Sequence, residues 1–206
     1  KNLNTAEIIY LSDLEPLEVR KNLNELFTTT LVSREIAGKS NLEEVTYFIT
    51  DFSRDFLSKN YPLDIAVVKT ITNKLRVLAK SVEEMHQINE HNEFGINALS
   101  FRTPNEKIAA KFLTEALNCS KYKRYPEALR KLDEAKNIVP NYFETYRVSA
   151  FIKASSGDIL GAEEDYKTGL EIEPENPRLL FYYSQFLLFQ IEDIETAFEY
   201  ARKVYR

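Results

Sequence analysis

Apolar residues recur at spacings of three and four between residues 64 and 90, which is the pattern of a helix with one apolar side. The stripe consists of Ile65, Val68, Ile71, Leu75, Leu78, Val82 and Met85. At about 1.5 Å per residue, a helix of this length extends about 40 Å. We therefore predict a long connecting helix that packs against a neighbour along one side. A dimeric coiled coil is the alternative, although the stripe lasts only about three heptads.

The N-terminal region begins with two short amphipathic stretches. Residues 5–12 and 15–27 predict two helices that are separated by a turn at Asp13. The second helix is expected to bury the side formed by Leu17, Leu23, Leu26 and Phe27.

Two alternating stretches follow these helices. LVSREI and VTYFITDF alternate as strands do, Gly38 between them favours a turn, and SRDFLSKNY returns to a helical pattern. A helix-turn-helix followed by a β-hairpin is the winged-helix arrangement. We therefore expect residues 1–62 to form a winged-helix-like unit without its first helix, with Lys39 and Ser40 exposed in the wing.

The same turn contains Gly38-Lys39-Ser40, which also ends the phosphate-binding motif G-x-x-x-x-G-K-[ST]. That motif requires a glycine where this chain has Ser33, and its loop must open into a helix rather than into a second strand. We interpret the stretch as a hairpin turn and not as a nucleotide site.

An internal repeat occupies the second half of the chain. Residues 125–141 and 159–175 align at an offset of 34 residues, and the alignment matches small residues and a terminal proline. The matched pairs are Ala128 with Ala162, Ala135 with Gly169, and Pro140 with Pro174. This period is typical of stacked helical hairpins, since helices approach closely only where side chains are small. A third copy places Ala197 and Ala201 at the small positions after a one-residue insertion.

The start of the repeat region has its own signal. Thr103, Pro104 and Glu106 form a capping-box sequence, so a helix is predicted to begin there. The residues just before it, around Gly95, predict an irregular connection.

These repeats resemble the tetratricopeptide repeat (TPR) family. The three copies would cover residues 109–142, 143–176 and 177–206, and Gly157-Asp158 matches the inter-helix turn of the family, where the first copy has Lys123-Arg124. The resemblance implies a mostly α fold in which residues 63–101 connect the N-terminal unit to a TPR α-solenoid of about three repeats at 102–206. Because the third copy stops before its terminal proline, we expect the chain to be a piece of a longer protein.

The TPR resemblance also implies a concave groove for a protein or peptide ligand. Its inward positions correspond to Thr114, Leu117, Lys121, Arg147, Phe151, Ser155, Arg178, Tyr182, Gln185 and Phe189. Arg147 and Arg178 could hold a carboxylate or phosphate through paired N–H donors, with aromatic side chains beside them. Phe151 stands where the family's chaperone-tail clamp has an asparagine, which argues against that ligand.

The order of winged helix, helical connector and TPR array resembles the C-terminal part of the STAND class of signal-transduction NTPases. The stretch LNELFTTTLVSREI…YFITDFSRDFLSKNYP is similar to the winged-helix segment of that class, with Thr30 where the class has a serine. The resemblance implies a P-loop ATPase module upstream of residue 1, in the same polypeptide.

Composition limits the partners. The net charge is -5 and no basic arm is present, which argues against nucleic acid as a ligand. One cysteine, no signal peptide and no apolar run of about 18 residues predict a cytoplasmic protein without a membrane segment. Neither Cys119 nor the pair His86 and His91 has the partners or spacing for nucleophilic or metal chemistry, so no catalytic residue, metal or cofactor is predicted.

These observations favour a non-catalytic sensor or adaptor segment of a larger NTPase, which binds protein or peptide through the TPR groove. The alternative is a transcription regulator that binds DNA through the winged helix and uses the repeats as its effector domain. The second predicted helix argues against DNA binding, because it carries more acidic than basic residues. The acidic residues are Glu15, Glu18 and Glu25, and the basic ones are Arg20 and Lys21.

Overall fold

A computed structural model of the chain describes residues 2–37 and 44–204. The fold is mostly α-helical with a small antiparallel sheet, as predicted, and it divides into two compact units, Lys1–Lys80 and Ser81–Arg206. The described elements are β1 (Leu3–Asn4), α1 (Thr5–Ser12), α2 (Pro16–Thr28), β2 (Val32–Ala37), β3 (Glu44–Ile49), α3 (Asp51–Asn60), α4 (Ile65–His91), α5 (Pro104–Lys121), α6 (Tyr125–Ile138), α7 (Phe143–Ser156), α8 (Ile159–Ile172), α9 (Pro177–Phe186), a π-helical turn (Leu187–Ile191) and α10 (Ile194–Val204). None of the described helices carries an apolar stretch long enough to cross a bilayer.

The first unit contains the two predicted strands. β2 and β3 pair antiparallel from Val32 opposite Ile49 to Ala37 opposite Glu44, and β1 joins the other edge of β3. The predicted wing turn at Gly38, Lys39 and Ser40 lies outside the described residues.

The core of the first unit is small. Ile9 of α1 packs with Val19 and Leu23 of α2, and Asp13 between the helices adopts the left-handed conformation that the predicted turn requires. Leu17 and Leu26, by contrast, are 80% and 39% exposed, so the burial predicted for these two residues is wrong. Leu17 lies about 200° around the helix from Val19, which forms the buried side with Leu23.

Helix α4 has the predicted length, and its apolar stripe is buried in part. Val82 and Met85 join the core of the second unit, whereas Ile65 and Val68 near the start of the helix are exposed. The side chains of His86 and His91 lie outside the described residues.

The second unit consists of three helical hairpins in series, α5–α6, α7–α8 and α9–α10. Both helices of each hairpin contact the first helix of the next hairpin, as in a repeat array. The predicted small residues Ala128, Ala162 and Ala197 are all buried within these hairpins. At Gly169 an added Cβ would lie 3.2 Å from Leu179 Cδ2, so the two hairpins approach closely here and Leu179 would have to shift to accept a larger residue.

The turn inside each hairpin repeats the same backbone conformation. Lys123, Gly157 and Glu192 have φ values of 58°, 91° and 63°. The residue after Gly157 and the residue after Glu192 are aspartates, and each accepts a hydrogen bond from a backbone N–H at the start of the next helix. The predicted equivalence of Lys123 and Gly157 is confirmed.

The one-residue insertion of the third hairpin is absorbed by the π-helical turn at Leu187–Ile191. A π turn holds one more residue than an α turn, because its hydrogen bonds join residues five apart. The N–H of Glu192 accordingly donates to the carbonyl oxygen of Leu187. The capping box at the start of α5 is also present, with Thr103 and Glu106 binding each other's backbone N–H.

Candidate functional site

The candidate site lies along the first helices of the second and third hairpins, α7 and α9. At their N-terminal halves these helices bind residues 94–101 of the same chain, which we call the connecting segment. At their C-terminal halves they enclose a pocket of about 190 Å³.

A buried carboxylate organises the first of these regions. Glu144 on α7 is completely buried, and its Oε2 accepts from Arg147 Nε at 2.6 Å. Its Oε1 accepts from Arg178 Nη1 at 2.8 Å and from both the backbone N–H and the hydroxyl of Ser100 at 3.0 Å. Four donors therefore compensate a charge that would be costly to bury alone.

The two arginines also bind the backbone of the connecting segment. Arg147 Nη2 donates to the carbonyl oxygens of Ala98 at 2.8 Å and Ile96 at 3.3 Å, and Arg178 Nη1 donates to Ala98 at 3.0 Å. Tyrosine hydroxyl groups donate to two more carbonyl oxygens, from Tyr142 to Ser100 at 2.5 Å and from Tyr182 to Phe94 at 3.0 Å. The groove thus binds a polypeptide backbone that belongs to the chain itself.

This arrangement corrects the expected role of the arginine pair. Arg147 is completely buried and the side chain of Arg178 is 13% exposed, so neither guanidinium faces an open groove. Their carboxylate partner is Glu144, for which the sequence predicted no role. The signal was present, because Glu144 precedes Arg147 by three residues and such a pair lies on the same side of a helix.

The second region contains most of the other expected groove residues. The pocket is lined by Phe151, Ala154, Ser155, Tyr166, Tyr182, Gln185, Phe186, Phe189 and Gln190. Phe151, Ser155, Tyr182, Gln185 and Phe189 were expected from the repeat alignment, and the structure brings these five together. The repeat alignment did not indicate that Tyr166 of α8 or Gln190 of the π-helical turn would join them.

Three expected residues on α5 lie outside the pocket. Thr114 donates its hydroxyl to the carbonyl oxygen of Ala110 within its own helix, and Leu117 is buried in the hydrophobic core. Lys121 is exposed in the last turn of α5. The structure therefore places the open part of the groove on the second and third hairpins.

Tyr182 belongs to both regions. Its hydroxyl binds the connecting segment, the Arg147 guanidinium lies 5.0 Å from its ring centre, and the ring meets Phe151 edge-on at 6.4 Å. Burial raises the pKa of Tyr182 above the ordinary value of 10.0, and the nearby Arg147 and Arg178 partly oppose this shift. The side chain therefore stays neutral and can donate its hydrogen bond over the physiological range.

The described residues hold no group of three or more His, Cys, Asp or Glu side chains suited to a metal ion. The pocket lining contains no His, Cys, Lys or carboxylate that could act as nucleophile or general base. The lining offers aromatic faces, the carboxamides of Gln185 and Gln190, and the hydroxyl groups of Ser155, Tyr166 and Tyr182.

Comparison of this chain with models of known protein families gives no match, and comparison with curated proteins gives none either.

Proposed function

We propose that the chain is a non-catalytic interaction and regulatory segment of a larger cytoplasmic NTPase of the STAND type. In this proposal residues 1–62 are a winged-helix-like unit, residues 63–101 connect it to the repeats, and residues 102–206 are TPR repeats that bind a protein or peptide.

The repeat interpretation is supported by three independent features of the second unit. The first two hairpins follow a 34-residue period and the third has one inserted residue. Ala128, Ala162 and Ala197 are buried in the hairpins, and the three inter-helix turns share a left-handed residue. Repeat arrays of this kind commonly use a groove along their first helices for recognition.

The observation that carries the binding proposal is the open pocket next to a bound polypeptide. The N-terminal halves of α7 and α9 already bind backbone carbonyl groups of the connecting segment, and Tyr182 joins that region to the pocket. A groove that binds the polypeptide backbone at one end and presents unfilled aromatic surface at the other is suited to a peptide ligand.

The N-terminal unit supports the winged-helix interpretation through α1, the turn at Asp13, α2 and the β2–β3 hairpin. Glu15 at the N-cap of α2 and Glu18 and Glu25 within it are exposed. The same helix also exposes two basic residues, Arg20 and Lys21. Because phosphate binding depends on excess positive charge, this surface favours a protein contact over DNA.

The test is a selection from a peptide-display library on the immobilised full chain. We expect enriched peptides to bind the unmodified chain in calorimetric titration and to lose binding to a Ser155→Trp variant, in which the indole fills the pocket. Lys121→Ala is the matched control, since Lys121 is exposed on α5 and outside the pocket. Both variants are first checked for an unchanged thermal melt.

Peptides that bind both variants equally would contradict the proposed site. A gel shift of duplex DNA by the full chain at about 50 mM salt, where electrostatic contacts are strongest, would instead favour the transcription regulator.

A further inference from the structure

The π-helical turn contributes part of the lining of the pocket. Gln185 and Gln190 both line the pocket although they are five residues apart. In an uninterrupted α-helix such residues point about 140° away from each other. The extra residue of the π turn widens the helix and reduces this angle, and the same stretch also contributes Phe186 and Phe189 to the lining.

The size of the pocket limits what it can hold. At about 190 Å³ it is smaller than the 300–1,000 Å³ of sites for drug-sized molecules and cofactors. It has room for one large side chain. The lining provides five aromatic rings, including the edge-on pair of Phe151 and Tyr182 and the tilted pair of Tyr166 and Phe186 at 5.2 Å. Rings in such arrangements favour another aromatic group at their edges and faces.

The charge of the lining limits the ligand further. None of the nine lining residues is charged, so an ionised side chain placed there would lose hydration without a partner of opposite charge. The amides of Gln185 and Gln190 are exposed and make no hydrogen bond to any other described residue. Because a carboxamide both donates and accepts, each amide can pair with a peptide group in the way a neighbouring backbone would.

We propose that this pocket holds a single aromatic side chain from an uncharged peptide segment, whose backbone pairs with the amides of Gln185 and Gln190. The inference rests on the proposed function and specifies its ligand. The segment would bind next to the polypeptide that Arg147, Arg178 and Tyr182 already hold, since Tyr182 binds the connecting segment through its hydroxyl and also lines the pocket.

The experiment uses the series acetyl-Gly-Gly-X-Gly-Gly-amide, where X is Phe, Leu, Ala, Glu or Lys, in NMR titrations of the isotope-labelled full chain. We expect the Phe peptide to bind at least tenfold more tightly than the Ala peptide, as the burial of an aromatic ring predicts. The Glu and Lys peptides should bind no better than Ala. The shifted signals should include the amide groups of Gln185 and Gln190.

Two variants test how the pocket is built. Deletion of Leu188 restores the 34-residue spacing and should convert the π turn into α-helix, so we expect a folded chain with at least tenfold weaker binding of the Phe peptide. Gln185→Ala paired with Gln190→Ala should weaken binding about tenfold by removing two hydrogen bonds. Lys121→Ala should bind as the unmodified chain does.

The inference is overturned if the Phe and Ala peptides bind equally, if a charged peptide binds best, or if Leu188 deletion leaves binding unchanged in a folded chain. It is also overturned if no peptide of the series binds while library-selected peptides still bind and depend on Ser155. That last result would leave the proposed function intact. If neither the series nor any selected peptide binds, both proposals are rejected.

Discussion

The two halves of the groove on α7 and α9 differ in chemistry although the same two helices build both. The N-terminal half contains Glu144, Arg147 and Arg178, and these charged groups bind one another and the backbone of the connecting segment. The C-terminal half contains aromatic rings and amides and is open. The position of a residue in the repeat therefore determines which way its side chain points. The polarity of that side chain determines whether another part of the same chain binds it or leaves it open to a ligand.

The largest effect should come from a substitution in the N-terminal half of the groove, which the connecting segment fills and which we call the filled half. Glu144→Gln removes the carboxylate between two buried guanidinium groups, and we expect the free energy of unfolding to fall by about 3–5 kcal/mol. Urea denaturation measures this loss. Glu127→Gln is the control, because its bridge to Arg124 is half exposed and should contribute less than about 1 kcal/mol. A comparable loss in both variants would show that the Glu144 network has no special role.

A smaller effect is expected at Tyr182, which contributes its hydroxyl to the N-terminal half of the groove and its ring to the C-terminal half. Tyr182→Phe removes the hydroxyl that binds Phe94 but keeps the ring. We expect the free energy of unfolding to fall by about 0.5–1.5 kcal/mol, while the affinity for the Phe peptide stays within about twofold. Tyr182→Ala should lose both stability and binding. If Tyr182→Phe also lost affinity for the peptide, the hydroxyl would take part in the pocket, and the two halves of the groove would not be chemically distinct.

The same residue should give the filled half a dependence on alkaline pH. Burial raises the folded-state pKa of Tyr182 above its ordinary value of 10.0, so the stabilisation is complete below that pH. It is lost as the pH rises further, because the unfolded chain then ionises first. Chemical denaturation on either side of about pH 10 should show a smaller loss of stability for Tyr182→Phe than for the unmodified chain. Equal losses would place the alkaline dependence elsewhere, for example at Tyr183, whose pKa burial raises to about 12.

The smallest effect is expected from a substitution outside the groove, in the turn of the first hairpin. This substitution should leave both halves of the groove unchanged. Lys123 has a φ of 58°, a conformation that Gly157 provides without strain in the next hairpin. Lys123→Gly should therefore raise the free energy of unfolding by about 0.5–1 kcal/mol, measured by urea denaturation. Lys121→Gly, at the last residue of α5, relieves no left-handed conformation and should not raise it. A loss of stability in the first variant would contradict the strain inferred at Lys123.

Local signals predicted much of the fold. Four predictions are confirmed that each depend on residues close together in sequence. They are the turns inside the helical hairpins, the capping box at Thr103, the α4 helix and the β2–β3 strand pair. The insertion before Ala197 was visible from the repeat offset alone. Its consequence, a π turn that adds Gln190 to the pocket, was not, because an extra residue can be absorbed in a loop as well as in a helix.

The sequence was less informative about what lies opposite each side chain. Arg147 points inward as the repeat alignment implied, but it meets Ile96 and Ala98, which lie about fifty residues away in the chain. Nothing in the apolar pattern of the connecting segment indicated that its backbone would occupy the groove. The exposure of Leu17 has a similar cause, since the core of the first unit is built around Val19 and Leu23 and leaves that neighbour outside.

The inserted residue at the π turn also suggests a route by which new recognition could arise. In a stack where each unit touches only adjacent units, a change in one helix is confined to its surroundings. One added codon can therefore reshape a binding surface while the rest of the array keeps its register. A turn of this kind could be engineered into the first helix of an unrelated helical-repeat scaffold to create a small binding pocket at a chosen repeat.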